Sequence, residues 1–294
     1  GSAGIQLAYE QALTHFVEGG TNRVILCTDG DLNVGITEDD ELVKLITEKA
    51  TSGVFLTVLG FGTGNLKDSK MEKLADKGNG IYAYIDGLRE ARKVLVEQVS
   101  GSLITIAKDV KLQIEFYPAE VASYRLIGYE NRTMAAKDFR DDKKDAGEIG
   151  AGHTVTALYE VVPAGAEETA ATPKPGLKYQ KTKPAPDQPL SKAARNGKLL
   201  TLWLRYKQPD GQESSKLKFT LRDDGHRFSE ASVDFRFASA VASFGMVLRG
   251  SGHAGDATMA AVEEFAAGAI GEDPQGYRAE FVDLVRRARK IRGQ

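Results

Sequence analysis

The first hundred positions alternate two hydrophobic rhythms. In GIQLAYEQALTHF, Ile5, Ala8, Ala12 and Phe16 recur at helical spacing, and Gly19-Gly20 closes the helix they predict. RVILCT is a short unbroken apolar run between turn residues, the pattern of a strand covered on both faces. Leu42, Val43, Leu45 and Ile46 predict a second helix, capped by Asp39 or Asp40 and stopped by Gly53. VFLTVLGFG predicts another buried strand, SKMEKLADKGNG a short helix with a glycine exit, IYAYID a third strand and LREARKVLVEQV a third full helix. This order predicts an α/β unit over residues 1–101, a partial Rossmann-like parallel sheet with helices on its faces.

The rhythm then changes to period two. VKLQIEFYP, SYRLIGYE, TVTALYEVV, LLTLWLRYK and KLKFTLR read as half-buried strands separated by turn residues. They predict an antiparallel β-sandwich-like unit over 102–230. Six of the nine prolines fall between Pro163 and Pro189, among Ala, Thr, Lys and Glu, so 163–189 is expected to be an extended hairpin loop. From Phe235 the helical period returns. FASAVASFGMVLR, ATMAAVEEFAAGAI and PQGYRAEFVDLVRRARK predict three helices in a C-terminal segment, 231–294. Asp273 and Pro274 suit the start of the last helix, and its basic tail suits a helix C-terminus.

Composition narrows the function classes. With 294 residues the chain can bury two or three cores, and a net charge of -2 provides no field to draw nucleic acid or an anionic membrane. No run of eighteen apolar residues exists, so no membrane-spanning helix is expected in this chain. The single cysteine, Cys27, excludes an internal disulfide or a cysteine cage for zinc, and its place in VILC predicts a small core residue. The sequence opens on Gly1-Ser2 without methionine, and a targeting signal is expected to lie outside it.

Most candidate chemistry dissolves on inspection. DGDLNVGITEDD puts Asp29, Asp31, Asn33 and Asp40 at calcium-loop positions. However, Val34 stands where that loop needs glycine, and a strand precedes it in place of a helix. GFGTGN lacks the third glycine of a dinucleotide fingerprint, since Asn65 holds that position. His15, His153, His226 and His253 are not spaced as a helical metal pair. His153 beside Glu148 is the one acid–base candidate, with a backbone-bonded strand-entry histidine as the simpler expectation. Asp141, Asp142 and Asp145 are interleaved with lysines and predict a self-neutralising surface loop. RRARKIR predicts a solvated helix end. Tyr124, Tyr129, Tyr159 and Trp203 are expected to pack on strands.

VILCTDGDLNVG, following GSAGIQLAYEQAL, resembles the second half of a von Willebrand factor A domain. In that family a metal-ion-dependent adhesion site lies above the parallel sheet. Its ligands come from a DxSxS loop after the first strand, a threonine in a later loop and the aspartate of a TDG-type turn after the fourth strand. Asp29 matches that last aspartate. The resemblance implies Mg2+ or Mn2+, hard cations that take oxygen ligands. No DxSxS precedes GIQLAYEQAL here, so the site is expected to be complete only in a longer protein, with this chain retaining the Asp29 carboxylate and at most one hydroxyl, Ser2 being a neighbour of the threonine loop or a cloning remnant. RVILCT is expected to lose its neighbouring strand in the same way.

GFGTGNLKDSKMEKLADKGNGIYAYID, AKDVKLQIEFYPAEVASYRLIGYENR, DFRDDKKDAGEIGAGHTVTALYE and FASAVASFGMVLR resemble bacterial A-domain proteins of the YfbK type. That resemblance implies a non-enzymatic binding, adhesion or scaffold protein of the cell envelope, extracytoplasmic and often a lipoprotein, whose partner is a protein or envelope component. The competing expectation is a hydrolase-type enzyme that uses the His153/Glu148 region.

Overall fold

The computed structural model describes residues 2–29, 39–62, 67–98, 104–129, 133–144, 146–165, 197–209 and 211–293. Two compact units share the chain. One takes Gly1–Gln113, Ala135–Thr154 and Trp203–Leu217; the other takes Ile114–Met134, Val155–Leu202 and Lys218–Gln294.

The first unit opens with the alternation that the sequence predicts. Helix α1 spans Ser2–Thr14, strand β1 Arg23–Thr28, α2 Asp39–Ala50, β2 Phe55–Phe61, α3 Asp68–Lys77, β3 Tyr82–Ile85 and α4 Leu88–Arg92. The strands form a parallel sheet in the order β1-β2-β3, with Arg23 opposite Phe55, Thr28 opposite Gly60 and Phe61 opposite Ile85. Side chains alternate between its faces. On one face Val24, Leu56 and Val58 pack with Ile5 and Tyr9 of α1, Leu42 and Ile46 of α2, and Met71 and Leu74 of α3. On the other, Leu59 and Ile85 pack with Val94. The GNG exit of α3 is forced by closeness: a Cβ on Gly80 would lie 1.8 Å from the Leu56 carbonyl oxygen.

Three expectations change here. β1 is covered on one face only, with Val24 buried, Ile25 48 % exposed and Cys27 exposed as well. Cys27 is therefore no core residue. The second hydrophobic cluster draws on β2, β3 and the α4 region and does not reach β1. The predicted third full helix is α-helical only to Arg92 and continues as a π-helical turn over Lys93–Glu97. Asp39 and Asp40, the candidate caps of α2, are its first two helical residues; the calcium-like loop from 30 to 38 and the fingerprint-like residues 63–66 lie outside the described residues.

The period-two segments all become strands: β4 Thr105–Phe116, β5 Val121–Ile127, β7 Leu158–Pro163, β8 Lys198–Lys207 and β9 Ser214–Arg222. A further strand, β6, forms over Gly147–Gly150, inside the stretch expected to be a charged loop. They build a four-stranded sheet, β6-β4-β8-β9, and a two-stranded sheet, β5-β7. β6 pairs antiparallel with β4 through irregular register, and Asp109 beside Val110 adopts a left-handed φ of 52°, which aspartate tolerates better than most residues. In the second unit, Phe116, Tyr124 and Tyr159 share an aromatic contact, with the first two ring centroids 4.3 Å apart. Of the proline-rich loop, 166–189 lies outside the described residues, as does 190–196.

Three helices follow in the second unit: α5 Val233–Leu248, α6 Met259–Ala267 and α7 Tyr277–Arg292. Ser232 and Thr258 cap the first two, each hydroxyl accepting from an amide 3.1 Å away. Phe237 and Phe244 both meet Phe281 edge-on at 5.4 Å, and Met259, Val262, Val282 and Val285 complete the interior. Asp273 stands further back than a cap position. Gly276, at a left-handed φ of 72°, occupies the N-cap, and the Asp273 carboxylate reaches over it to accept from the Ala279 amide at 2.9 Å. The basic tail is employed internally. Arg286 and Arg289 both bind Glu263, and Arg292 donates to the Val247 and Leu248 carbonyls that end α5.

Candidate functional site

In a parallel sheet the loops that bind ligands gather at the carboxyl ends of the strands. Here those ends present Asp29 after β1, Gly62 after β2 and Asp86 after β3. Gly62 turns with a φ of 91°, and its carbonyl accepts from the Tyr84 hydroxyl at 2.8 Å. Tyr82 donates its hydroxyl to the Asp68 carboxylate at the start of α3. Burial, reinforced by that carboxylate, raises the Tyr82 pKa well above its ordinary value. Asp29 is exposed. Its carboxylate is the kind of donor a hard divalent cation takes, yet one carboxylate falls short of the six ligands magnesium takes, water included. Among the described residues, no group of three or more His, Cys, Asp or Glu side chains is placed to hold a metal.

The two acid–base candidates have different surroundings. His153 lies in an exposed turn after β6, its amide donating to the Gly150 carbonyl at 3.1 Å. Glu148, half-buried on β6, lies instead in the field of Arg23. Arg23 donates to the Thr57 hydroxyl at 2.8 Å and lies over the Phe55 ring, and burial lowers its pKa.

The acidic loop is tied down by cations of the sheet. Lys111 and Lys207, only 3 % and 7 % exposed, donate to the carbonyls of Asp141 and Asp142 at 2.6 and 2.8 Å. Lys207 also pairs with the Asp109 carboxylate at 2.6 Å. The Asp142 carboxylate accepts from Ser214 and from Arg205, whose nitrogen is 2.9 Å away. The Ser214 hydrogen bond leads in holding that carboxyl below the usual range. Phe139 is buried at the root of the loop. The Asp142 carboxylate is therefore committed to Arg205 and Ser214, the Asp141 carboxylate accepts the Lys143 amide at 2.9 Å, and Asp145 lies outside the described residues. Composition alone missed this arrangement. Its one sequence signal is Arg205 and Lys207 two apart on a strand, facing the same way.

Along the chain, a short parallel α/β sheet with an exposed aspartate at its carboxyl edge is followed by antiparallel strands and then by three helices. The chain belongs to the YfbK family. Residues 101–291 match the family model described as "Uncharacterized protein YfbK, C-terminal". Over 285 residues the chain is 44 % identical to "Uncharacterized protein YfbK" of Escherichia coli (strain K12), covering 97 % of this chain and 48 % of that protein. The chain thus spans about half the length of this curated relative. Among solved structures, "von Willebrand factor type A from Catenulispora acidiphila" aligns at 15 % identity and a TM-score of 0.37, covering 96 % of this chain and 62 % of that one. The conserved hypothetical protein BatB from Bacteroides thetaiotaomicron aligns at 22 % identity and a TM-score of 0.27, covering 31 % of this chain and 55 % of that one.

Proposed function

We propose that this protein is a non-enzymatic binding or scaffold element of the bacterial envelope. In this reading it holds a protein or envelope partner through a divalent cation, Mg2+ or Mn2+, to which Asp29 gives one oxygen. The observation that supports the reading is the placement of Asp29: exposed, within the sequence TDG, at the carboxyl end of a parallel strand. The remaining ligands come from outside the described residues, in keeping with a relative about twice as long. The hydrolase alternative has less support, since His153 lies exposed after β6 whereas Glu148 is half-buried in the field of Arg23.

Calorimetric titration with Mg2+ and Mn2+ tests the reading, using this chain and a protein of the relative's full length. The chain alone is expected to bind weakly or not at all, and the longer protein to bind and to lose binding with Asp29→Ala. A longer protein whose metal affinity ignores Asp29→Ala overturns the role given to this residue. Cell fractionation of the longer protein tests the extracytoplasmic placement.

A further inference from the structure

Strand β9 forms one margin of the four-stranded sheet, with β8 as its neighbour among the described residues. Its sequence, SSKLKFTLR, alternates in both character and charge. Leu217, Phe219 and Leu221 point to one face and are 42 %, 53 % and 52 % exposed. Lys216, Lys218 and Arg222 point to the other, and no acid interrupts them between Ser214 and Arg222. The Lys216 ammonium lies 3.8 Å from the centre of the Trp203 ring, which fixes that side as the basic one.

A sheet margin offers backbone donors and acceptors to an incoming strand. We propose that β9 takes up an extended segment of a partner protein in which acidic residues alternate with apolar ones. Side chains directly opposite across a strand pair share a face. The partner's apolar residues then cover Leu217, Phe219 and Leu221, and its carboxylates lie beside Lys218 and Arg222. The same pattern turns away a second copy of this chain, because self-pairing brings cation against cation, which destabilises a strand pair. The basic side chains therefore act as a selectivity filter on a margin that would otherwise pair with any apolar strand. This surface goes beyond the metal-dependent reading and needs no cation.

The test uses a fluorescent nonapeptide of alternating glutamate and valine. Alternate amides along one of its margins are N-methylated, so that it cannot stack on itself. Anisotropy is read in EDTA at low salt, so that failure of the metal reading leaves the result untouched. The glutamate–valine peptide is expected to bind about tenfold more tightly than lysine–valine or glutamate–serine peptides. Binding should weaken as salt rises and vanish when the N-methyl groups are moved to the other margin. In the K218E/R222E double variant the preference should pass to the lysine–valine peptide. Circular dichroism checks that this variant is folded, and R222E alone stands in if it is not. The proposal is overturned by absence of glutamate–valine binding, by equal binding of the lysine–valine peptide, or by a preference that charge reversal leaves unmoved.

Discussion

Tyr9 shows how one side chain can be central to packing and still poorly served. It is fully buried against the sheet, one helical turn after Ile5, and its hydroxyl has no hydrogen-bond partner among the described residues. A buried hydroxyl without a partner costs about 1–3 kcal/mol, so Tyr9→Phe is expected to raise stability by about 1 kcal/mol in urea unfolding at neutral pH. Burial also pushes the hydroxyl up from 10.0 to about 12. Below the unfolded value, both states hold the proton and the full contribution is present. As pH rises from 10.0 to about 12, the unfolded chain loses the proton first and stability falls. Tyr82, raised as well, adds to the slope in both proteins, so the readout is the difference between wild type and Tyr9→Phe. Identical slopes would mean that Tyr9 titrates in the folded chain as it does in the unfolded one. The sequence pattern picked out Ile5, Ala8 and Ala12 on this helix and passed over Tyr9. A tyrosine's polar end conceals its apolar body from a hydrophobic count.

Elements were legible in proportion to how long their period ran. The nine- to twelve-residue strands β4, β8 and β9 and the three C-terminal helices declare themselves. β6 does not, because Gly147–Gly150 offers Ile149 as its only large apolar residue. Its pairing with β4 is a tertiary choice that composition cannot carry. The loop from Phe139 to Lys144 was similarly opaque, since its partners lie 30 to 72 residues away on β4, β8 and β9. Lys207→Ala is expected to cost about 3 kcal/mol, because the half-enclosed Asp109 carboxylate loses its cation. The same change should speed tryptic cleavage at Lys143 and Lys144. If stability drops while cleavage is unchanged, Lys207 supports the sheet and does not anchor the loop. The candidate site was legible to the extent that one motif could carry it: TDG marked Asp29, and the other ligands implied by the resemblance are not in the string.

At the scale of the molecule, the sheet order leaves one side of β1 without a neighbouring strand among the described residues, and Ile25 stands open on one face. Parallel sheets are normally covered on both faces, and an open apolar edge seeks a partner. This chain by itself is expected to self-associate or aggregate through β1, whereas a protein of the relative's full length is expected not to do so by this route. Light scattering coupled to size exclusion, at matched concentrations, decides it. A clean monomer with fast amide exchange along Val24 to Cys27 would mean that the edge is tolerated in water.

The same strand carries its own reporter. Cys27 is the only thiol in the sequence, and it faces outward from β1. A maleimide dye added in slight excess should therefore mark one address and no other. Its reaction rate becomes a direct reading of whether that flank of the sheet is open, in the purified chain, in the longer protein and in any complex either of them forms. Rapid labelling here and slow labelling in the longer protein would show that a covering layer exists, and the position of the dye would say where it sits.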